Sequence, residues 1–440
     1  MGVITKSYLQ EVENESLNRA VMYQRYGNYY KYGAQSTLIV VPEKFKKELN
    51  NLGLRRNYCA PVVDAYIAKL RYKGLIVSDD KAREVIEETW HRNRMDAKMI
   101  QLHRTAAKKG DAYVIVWPDE EGNIQIQVNS PEFITPITDP ADINNVLYFK
   151  KEWQVYTGEE VIVRRDVFYP DHIERLWSRE GENWAPYTAD GKPDKYPNPY
   201  GVLPIVHFKN RIDEGLFGIS ELADAIPIQD DINRIIMDML MAAGYLGFGQ
   251  TYIIGTTYKQ IVGNNPNGLD KNPGSGWIIP NENAKVGKLA ADDMRGLLEA
   301  IRQEVQEMAT ITRTPLHYLQ ASGGTPSGVS LQELEGPLAD KVLEAQVSFG
   351  NAYEDINRLI LLENGIRDVE TSILWQDPVQ YIDVKKTQND IALYNGGAIS
   401  RKQLLRNQGY TDEQIERIEK EIQQEDNELT TAPATTAPQG

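Results

Sequence analysis

The stretch Gly323–Glu363, GGTPSGVSLQELEGPLADKVLEAQVSFGNAYEDINRLILLE, decides how the rest of the chain is read. Its first eight residues imitate a nucleotide-phosphate loop. Gly323, Gly328 and Ser330 fall on the glycine, glycine and hydroxyl positions of G-x-x-x-x-G-K-[ST], but Val329 stands where that loop needs lysine. A phosphate loop also needs a buried strand leading in, so that backbone N–H groups cradle phosphate while lysine supplies charge. TRTPLHYLQAS (312–322) carries no such run, and SILWQD (372–377) is a weak candidate for holding Mg2+. A bland linker and a mobile functional loop are the readings left for the glycines.

A long helical pattern runs on from the loop. Leu331, Leu334, Leu338, Val342, Ala345, Phe349, Ala352, Ile356 and Leu359 keep to steps of three and four, the spacing of one helix face. From Val329 to Glu363 such a helix spans about 50 Å at 1.5 Å per residue. Gly336 and Pro337 inside it predict a kink.

Working outward, residues 1–110 read as helical, ending at Gly110. YVIVW (113–117) and IQIQV (124–128) flank a turn and predict a hairpin; the acidic residues between them do not have calcium-loop spacing. VLYFKKEW, EVIVRRDVFY and HIERLWS are further strands. From Ser220, Ile228, Ile232, Ile235 and Met239 mark one helix face, which Pro227 should kink or restart. Residues 245–290 are rich in Gly, Asn and Pro with short apolar runs, predicting a compact β-like insertion. A second helix, DDMRGLLEAIRQEVQEMATI, stops before Pro315. TSILWQDPVQYID predicts a strand returning to an earlier sheet, and SRKQLLRNQGYTDEQIERIEKEIQQE a pair of short polar helices. LTTAPATTAPQG lacks apolar anchors and reads as disordered.

Composition narrows the function. The 440 residues allow two to four domains at about 150 residues each. The formal net charge is −15, with no basic excess of the kind that grips nucleic-acid phosphates. A protein of this balance that meets DNA lets it pass rather than holds it. One cysteine, Cys59, precludes an intramolecular disulfide and reads as a buried structural residue. The N-terminus has no apolar segment of the signal-peptide type, and INRIIMDMLMAAGYLGFG is too short and too interrupted to span a bilayer, so the expectation is a soluble protein made in the cytosol.

Catalytic templates fail as well. His91, His103, His172, His207 and His317 form no metal-binding spacing, and neither a G-x-S-x-G elbow nor G-x-G-x-x-G occurs. The adjacent carboxylates Asp230–Asp231 and Asp292–Asp293 read as solvated helix turns. No catalytic residue, cofactor or metal is therefore assigned.

Taken in order, these segments resemble the portal proteins of tailed bacteriophages. YCAPVVDAYIAKL and the segment WHRNRMDAKMIQLHRTAAKKGDAYVIVW look like the start of the wing; LPIVHFKNRIDEGLFGISELADAIPIQDDINRIIMDML looks like the wing-to-stem passage. TRTPLHYLQASGGTPSGVSLQELEG looks like the tunnel loop and the helix after it, and AISRKQLLRNQGYTDEQIERIEKEIQQE like the crown. The resemblance spans residues 15–425 and implies an α+β portal fold. Its parts are an α/β wing (1–218), a first stem helix (219–246), a clip (247–290) and a second stem helix (291–313). A tunnel loop (314–330), a long kinked helix with a strand returning to the wing (331–377), a crown (378–427) and a disordered tail (428–440) complete it.

The resemblance further implies a twelvefold ring at a capsid vertex, through which double-stranded DNA is packaged and ejected. Implied partners are the terminase large subunit, a head–tail adaptor, the major capsid protein and scaffold, and no membrane; the place is the virion, with the host cytoplasm during assembly. Ser322, Gly323, Gly324, Thr325, Pro326, Ser327 and Gly328 would line the channel as a small, uncharged loop, and Arg313 and Lys341 would be channel or intersubunit cations. Two other readings stand beside this one, an ATP-using packaging enzyme and a minor capsid or adaptor protein with no DNA-conducting role. The first of these is tested directly: purified protein is expected to show no ATPase activity, and turnover that disappears on Ser330→Ala would overturn the reading of the loop.

Overall fold

A computed structural model describes residues 4–33, 56–158, 160–248, 251–255, 281–288, 294–320, 328–379 and 384–408, with isolated positions at 257, 259, 410, 415, 418, 419 and 422. The chain begins with helix α1 (Lys6–Tyr32), followed by α2 (Cys59–Lys69), strand β1 (Tyr72–Val77), α3 (Asp80–Asn93) and α4 (Met95–Lys109). Strands β2 (Asp111–Pro118), β3 (Ile124–Asn129), β4 (Ile134–Asp139), β5 (Asp142–Thr157), β6 (Glu160–Phe168) and β7 (His172–Ser178) come next, then the short β8 (Ala185–Pro186) and β9 (Lys195–Pro197), and β10 (Ile205–Lys209). Helix α5 (Ala225–Phe248) leads to β11 (Thr251–Ile254) and β12 (Lys285–Lys288), and α6 (Arg295–Ile311) to the single turn α7 (Leu316–Leu319). The 36-residue α8 (Gly328–Glu363), β13 (Thr371–Trp375), α9 (Val384–Asn395) and α10 (Arg401–Asn407) complete the order.

Helix α8 carries the largest core. Leu338, Val342, Ala345, Phe349, Tyr353, Ile356 and Ile360 lie buried with residues of α2, α3, α4, β2 and β10. Each large apolar side chain removed from water contributes about 1.5–3 kcal/mol, so this row dominates the fold. Leu334 departs from the expected row: it is half exposed, and Glu335 takes the buried position beside it.

The apolar run YVIVW has a physical reason. Strand β2 is the middle of the sheet β10-β2-β3 and is covered on both sides. Ala112, Val114 and Val116 face the main core, while Tyr113 and Ile115 face a second core with Ile134, Phe149, Phe168 and Ile173. The antiparallel hairpin pairs Val114 with Val128 and Val116 with Ile126. The second sheet runs β4-β5-β6-β7-β8, with β9 also on β7, and contains all three further strands expected there.

Residues 1–110 are not all helical. β1 interrupts them and pairs antiparallel with β13, Tyr72 opposite Trp375 and Val77 opposite Thr371. The returning strand thus finds a single earlier strand rather than an existing sheet. β1 escaped notice because its partner lies about 300 residues away and nothing near YKGLIV in the sequence could pair with it.

Pro227 neither kinks nor restarts a running helix. It lies in the first turn of α5, where a missing N–H costs no intrahelical bond. Ile228, Ile232 and Ile236 of α5 pack against Ile301, Val305 and Met308 of α6, with Ile235 and Met239 half-buried at the edge. Two amides on the buried side of α5 capture backbone from elsewhere: Gln229 Nε2 donates to Arg56 O and Asn233 Nδ2 to Gly33 O, each at 2.8 Å. Asp230 is no solvated carboxylate, because Tyr29 OH donates to its Oδ1 at 2.6 Å; Asp231 pairs with Arg234 at 2.9 Å. Asp292–Asp293, most of the insertion between β11 and β12, the second polar helix near the C-terminus and the tail 428–440 lie outside the described residues. Cys59 is fully buried, which pushes its thiol up to about 12.

His103 supplies a pH test of the main core. It stacks on Phe349 at 5.2 Å, its Nε2 lies 2.9 Å from Tyr353 OH, and burial lowers its pKa to about 3. The native ring stays neutral while the unfolded chain protonates near 6.5, so stability is full above that pH and falls as pH drops toward 3. The slope is at most about 1.4 kcal/mol per pH unit for one proton. Urea unfolding at pH 7 and pH 5 should show this loss, and His103→Leu should flatten it by up to one proton; an unchanged slope would show that His103 is not held neutral.

Candidate functional site

Three segments of the chain meet at one buried ion pair. Lys341 Nζ of α8 lies 2.5 Å from Glu221 Oε2, and both side chains are almost wholly buried. The same ammonium donates to Thr312 O at 2.7 Å, at the C-terminal end of α6 where a cation is favoured. Asn210 Nδ2 donates to Glu221 Oε1 at 3.0 Å, and Tyr66 OH donates to Asn210 Oδ1 at 2.8 Å. One lysine on α8 is therefore bonded both to the end of α6 and to the turn that leads into α5.

Immediately after Thr312 the backbone turns left-handed. Arg313 has φ 52°, its N–H donates to Thr310 O, and Thr314 N–H donates to Ala309 O. This pair of bonds is a Schellman cap, whose left-handed residue is ordinarily glycine. A non-glycine there costs about 1–2 kcal/mol. The Arg313 residue is exposed, and its guanidinium has no hydrogen-bond or ion-pair partner among the described residues. Pro315 and α7 come next, and α7 is pinned to the first turns of α8. Tyr318 OH donates to Glu335 Oε1 at 3.1 Å, His317 Nε2 lies 3.1 Å from the same atom, and Lys69 Nζ lies 2.8 Å from Oε2. Both sides of the glycine-rich loop are anchored at this buried carboxylate.

Of the residues expected to line a channel, Ser322, Gly323, Gly324, Thr325, Pro326 and Ser327 lie outside the described residues, and Gly328 opens α8. A helical turn, not a buried strand, precedes the loop, so the geometry of a phosphate loop is missing as well as its lysine. Gly336 and Pro337 sit within α8; Pro337 has no N–H to give the carbonyl of Glu333, and open space surrounds the position of a Cβ on Gly336. Lys341 is a correction: its charge is spent inside the subunit, not in a channel or on a neighbour, because a buried ammonium requires a buried partner. Arg313 keeps its charge free.

Sequence reasoning missed Glu221 and Glu335. A signal for both anchors was present, since Glu335 and Lys341 occupy positions that extend the buried face of Leu338, Val342 and Ala345. A charged residue on such a face calls for a buried counter-charge. Among the described residues no group of His, Cys, Asp and Glu could hold a metal, and no helix is long and apolar enough to cross a membrane.

The ion pair makes a mutational prediction. Lys341→Met leaves Glu221 buried without its partner and should cost about 3–5 kcal/mol in urea unfolding. Adding Glu221→Gln keeps the Asn210 bond, removes the stranded charge and should recover most of that loss.

No curated protein matches the chain. Among solved structures, the virion of a native gene transfer agent particle contains a similar chain, at 11% identity and TM-score 0.43, covering 84% of this chain and 94% of that one. A chain in the neck of such a particle, computed with C12 symmetry, matches at 12% identity and TM-score 0.45, covering 84% and 95%. Residues 15–428 match the family described as "Phage portal protein, SPP1 Gp6-like". With nearly its whole length matched, the chain belongs to the SPP1 Gp6-like family of phage portal proteins.

Proposed function

We propose that the protein assembles into a closed twelvefold ring at one capsid vertex, through which double-stranded DNA is packaged and later ejected. The observation that carries this reading is the family match across residues 15–428. Within it, residues 1–218 are the wing, 219–246 and 291–313 the stem helices, and 247–290 the clip. Residues 314–330 are the tunnel loop, 331–377 the long kinked helix and returning strand, 378–427 the crown and 428–440 a tail.

The packing of α5 on α6, ending at the β11–β12 pair, supports the stem-and-clip assignment. The anchoring of α7 on Glu335 supports a tunnel loop held at its base. Small residues there let copies crowd round a narrow passage, and the absence of charge lets a polyanion slide. Arg313 remains as the exposed cation at the loop's base, for the channel or a neighbouring subunit. The ring itself performs no chemistry. The terminase large subunit supplies the work of packaging, the clip receives it and later a head–tail adaptor, and the wing meets the capsid protein and scaffold.

Native mass spectrometry tests the assembly. A ring of twelve 49.9 kDa chains weighs about 600 kDa. A species within one subunit of that mass is the expected result; a stable dimer or hexamer would favour an adaptor instead. Deleting Gly323–Ser327 should spare the ring and impair DNA packaging, whereas loss of the ring would make the loop structural.

A further inference from the structure

Helix α1 buries Tyr23 and Tyr29 toward its C-terminal end. It is also stitched to the body by polar contacts: Tyr8 OH donates to Thr138 O at 3.0 Å, Ser16 Oγ lies 2.7 Å from Thr135 Oγ1, and Tyr23 OH donates to Asp111 Oδ2 at 2.7 Å. Between these stitches runs a groove of about 550 Å³, walled by α1 and β4 and floored by residues 215–220. That volume falls within the range of sites that enclose ligands, roughly 300–1,000 Å³. The floor is rigid, because Gly218 approaches Gly110 so closely that a Cβ on it would meet Gly110 O at 2.3 Å.

Two features of the groove indicate its occupant. The first is apolar surface left in water: Met22 and Ile143 line it at 42% and 53% exposure, beside Val12 and Leu216. The second is charge. Both cations in the lining are already spent. Arg19 bonds buried Asp111 at 3.1 Å and lies 3.5 Å over the Phe217 ring, and Lys109 is held by Glu132 and Ser130. Among the described residues, the charges at the rim with no ion-pair partner are carboxylates, Glu11, Glu15 and Asp213. Glu11 and Glu15 are four residues apart on one helix, a spacing at which like charges cost a few tenths of a kcal/mol. Among the described residues, Asp213 accepts only the N–H of Glu214.

We propose that this groove binds a cationic peptide segment of a partner protein, with apolar side chains seated beside Met22 and Ile143 and lysines or arginines answering Glu11, Glu15 and Asp213. The charge at the rim disfavours DNA, so this is a protein-docking site, and it does not depend on the ring reading. Repulsion between Glu11 and Glu15 in the empty groove is relieved when a cation lies between them.

The test uses the full chain, in whatever assembly it adopts, with a fluorescein-labelled LKKLLKKLG peptide as probe in fluorescence polarisation. Saturable binding with a Kd on the order of 10 μM at low salt is expected. Glu11→Lys with Glu15→Lys should weaken it at least about tenfold. Glu84→Lys with Glu87→Lys, the same charge change on exposed residues of α3, should leave it within about twofold. Asp213→Lys on the loop gives an independent variant should the helix double variant fold poorly, and Ile143→Arg should weaken binding through the apolar contact. Equal weakening by the α3 pair would show diffuse attraction to an acidic protein and overturn the site. So would binding by dissociated monomer but not by the assembled protein, which would assign the groove to a neighbouring copy.

Discussion

The pairing of Lys341 with Glu221 is the constraint on which the rest of the structure depends. A charge removed from water must be answered, and here the answer comes from a different part of the chain. The ammonium also holds Thr312 O, so the end of α6, the entrance to α5 and the middle of α8 cannot move independently. Around it the packing is apolar and tolerant of small shifts. At the pair itself, a displacement of an ångström leaves a buried charge unmatched. Apolar burial supplies most of the stability; the ion pair specifies where the helices must sit.

A second buried carboxylate, Glu335, does for the loop what Glu221 does for the helices. It gathers His317, Tyr318 and Lys69 from α7 and α2 onto the start of α8. The glycine-rich stretch thus joins two anchored ends. Arg313 marks the border, in a left-handed cap that glycine would occupy at lower cost.

Much of this was legible in the order of the residues alone. The period of α8, the hairpin of β2 and β3, the strands β5 to β7 and the core side of α5 came from apolar spacing, because burial imposes its period on the residues. That YVIVW is covered on both faces became clear only once its two cores were seen. Features made by distant partners were not legible. Asp230 looks solvated until Tyr29, 201 residues earlier, is seen to donate to it. Lys341 reads as a channel or intersubunit cation, although its position beside Leu338 and Val342 places it on the buried face. The groove beside α1 has no linear signature, since its walls come from residues near 10–25, 135 and 215.

The pairing of β1 with β13 has a consequence for how the molecule is made. When β1 leaves the ribosome, its partner is still about 300 residues from synthesis. At about 5–20 residues per second, that is a delay of roughly 15–60 s. Throughout that interval β1 has no strand beside it, and a bare strand edge invites pairing with other chains. A subunit cut short anywhere before residue 371 keeps that edge open. The closing strand therefore distinguishes a longer product from a shorter one, because only a chain carried through β13 covers the edge of β1.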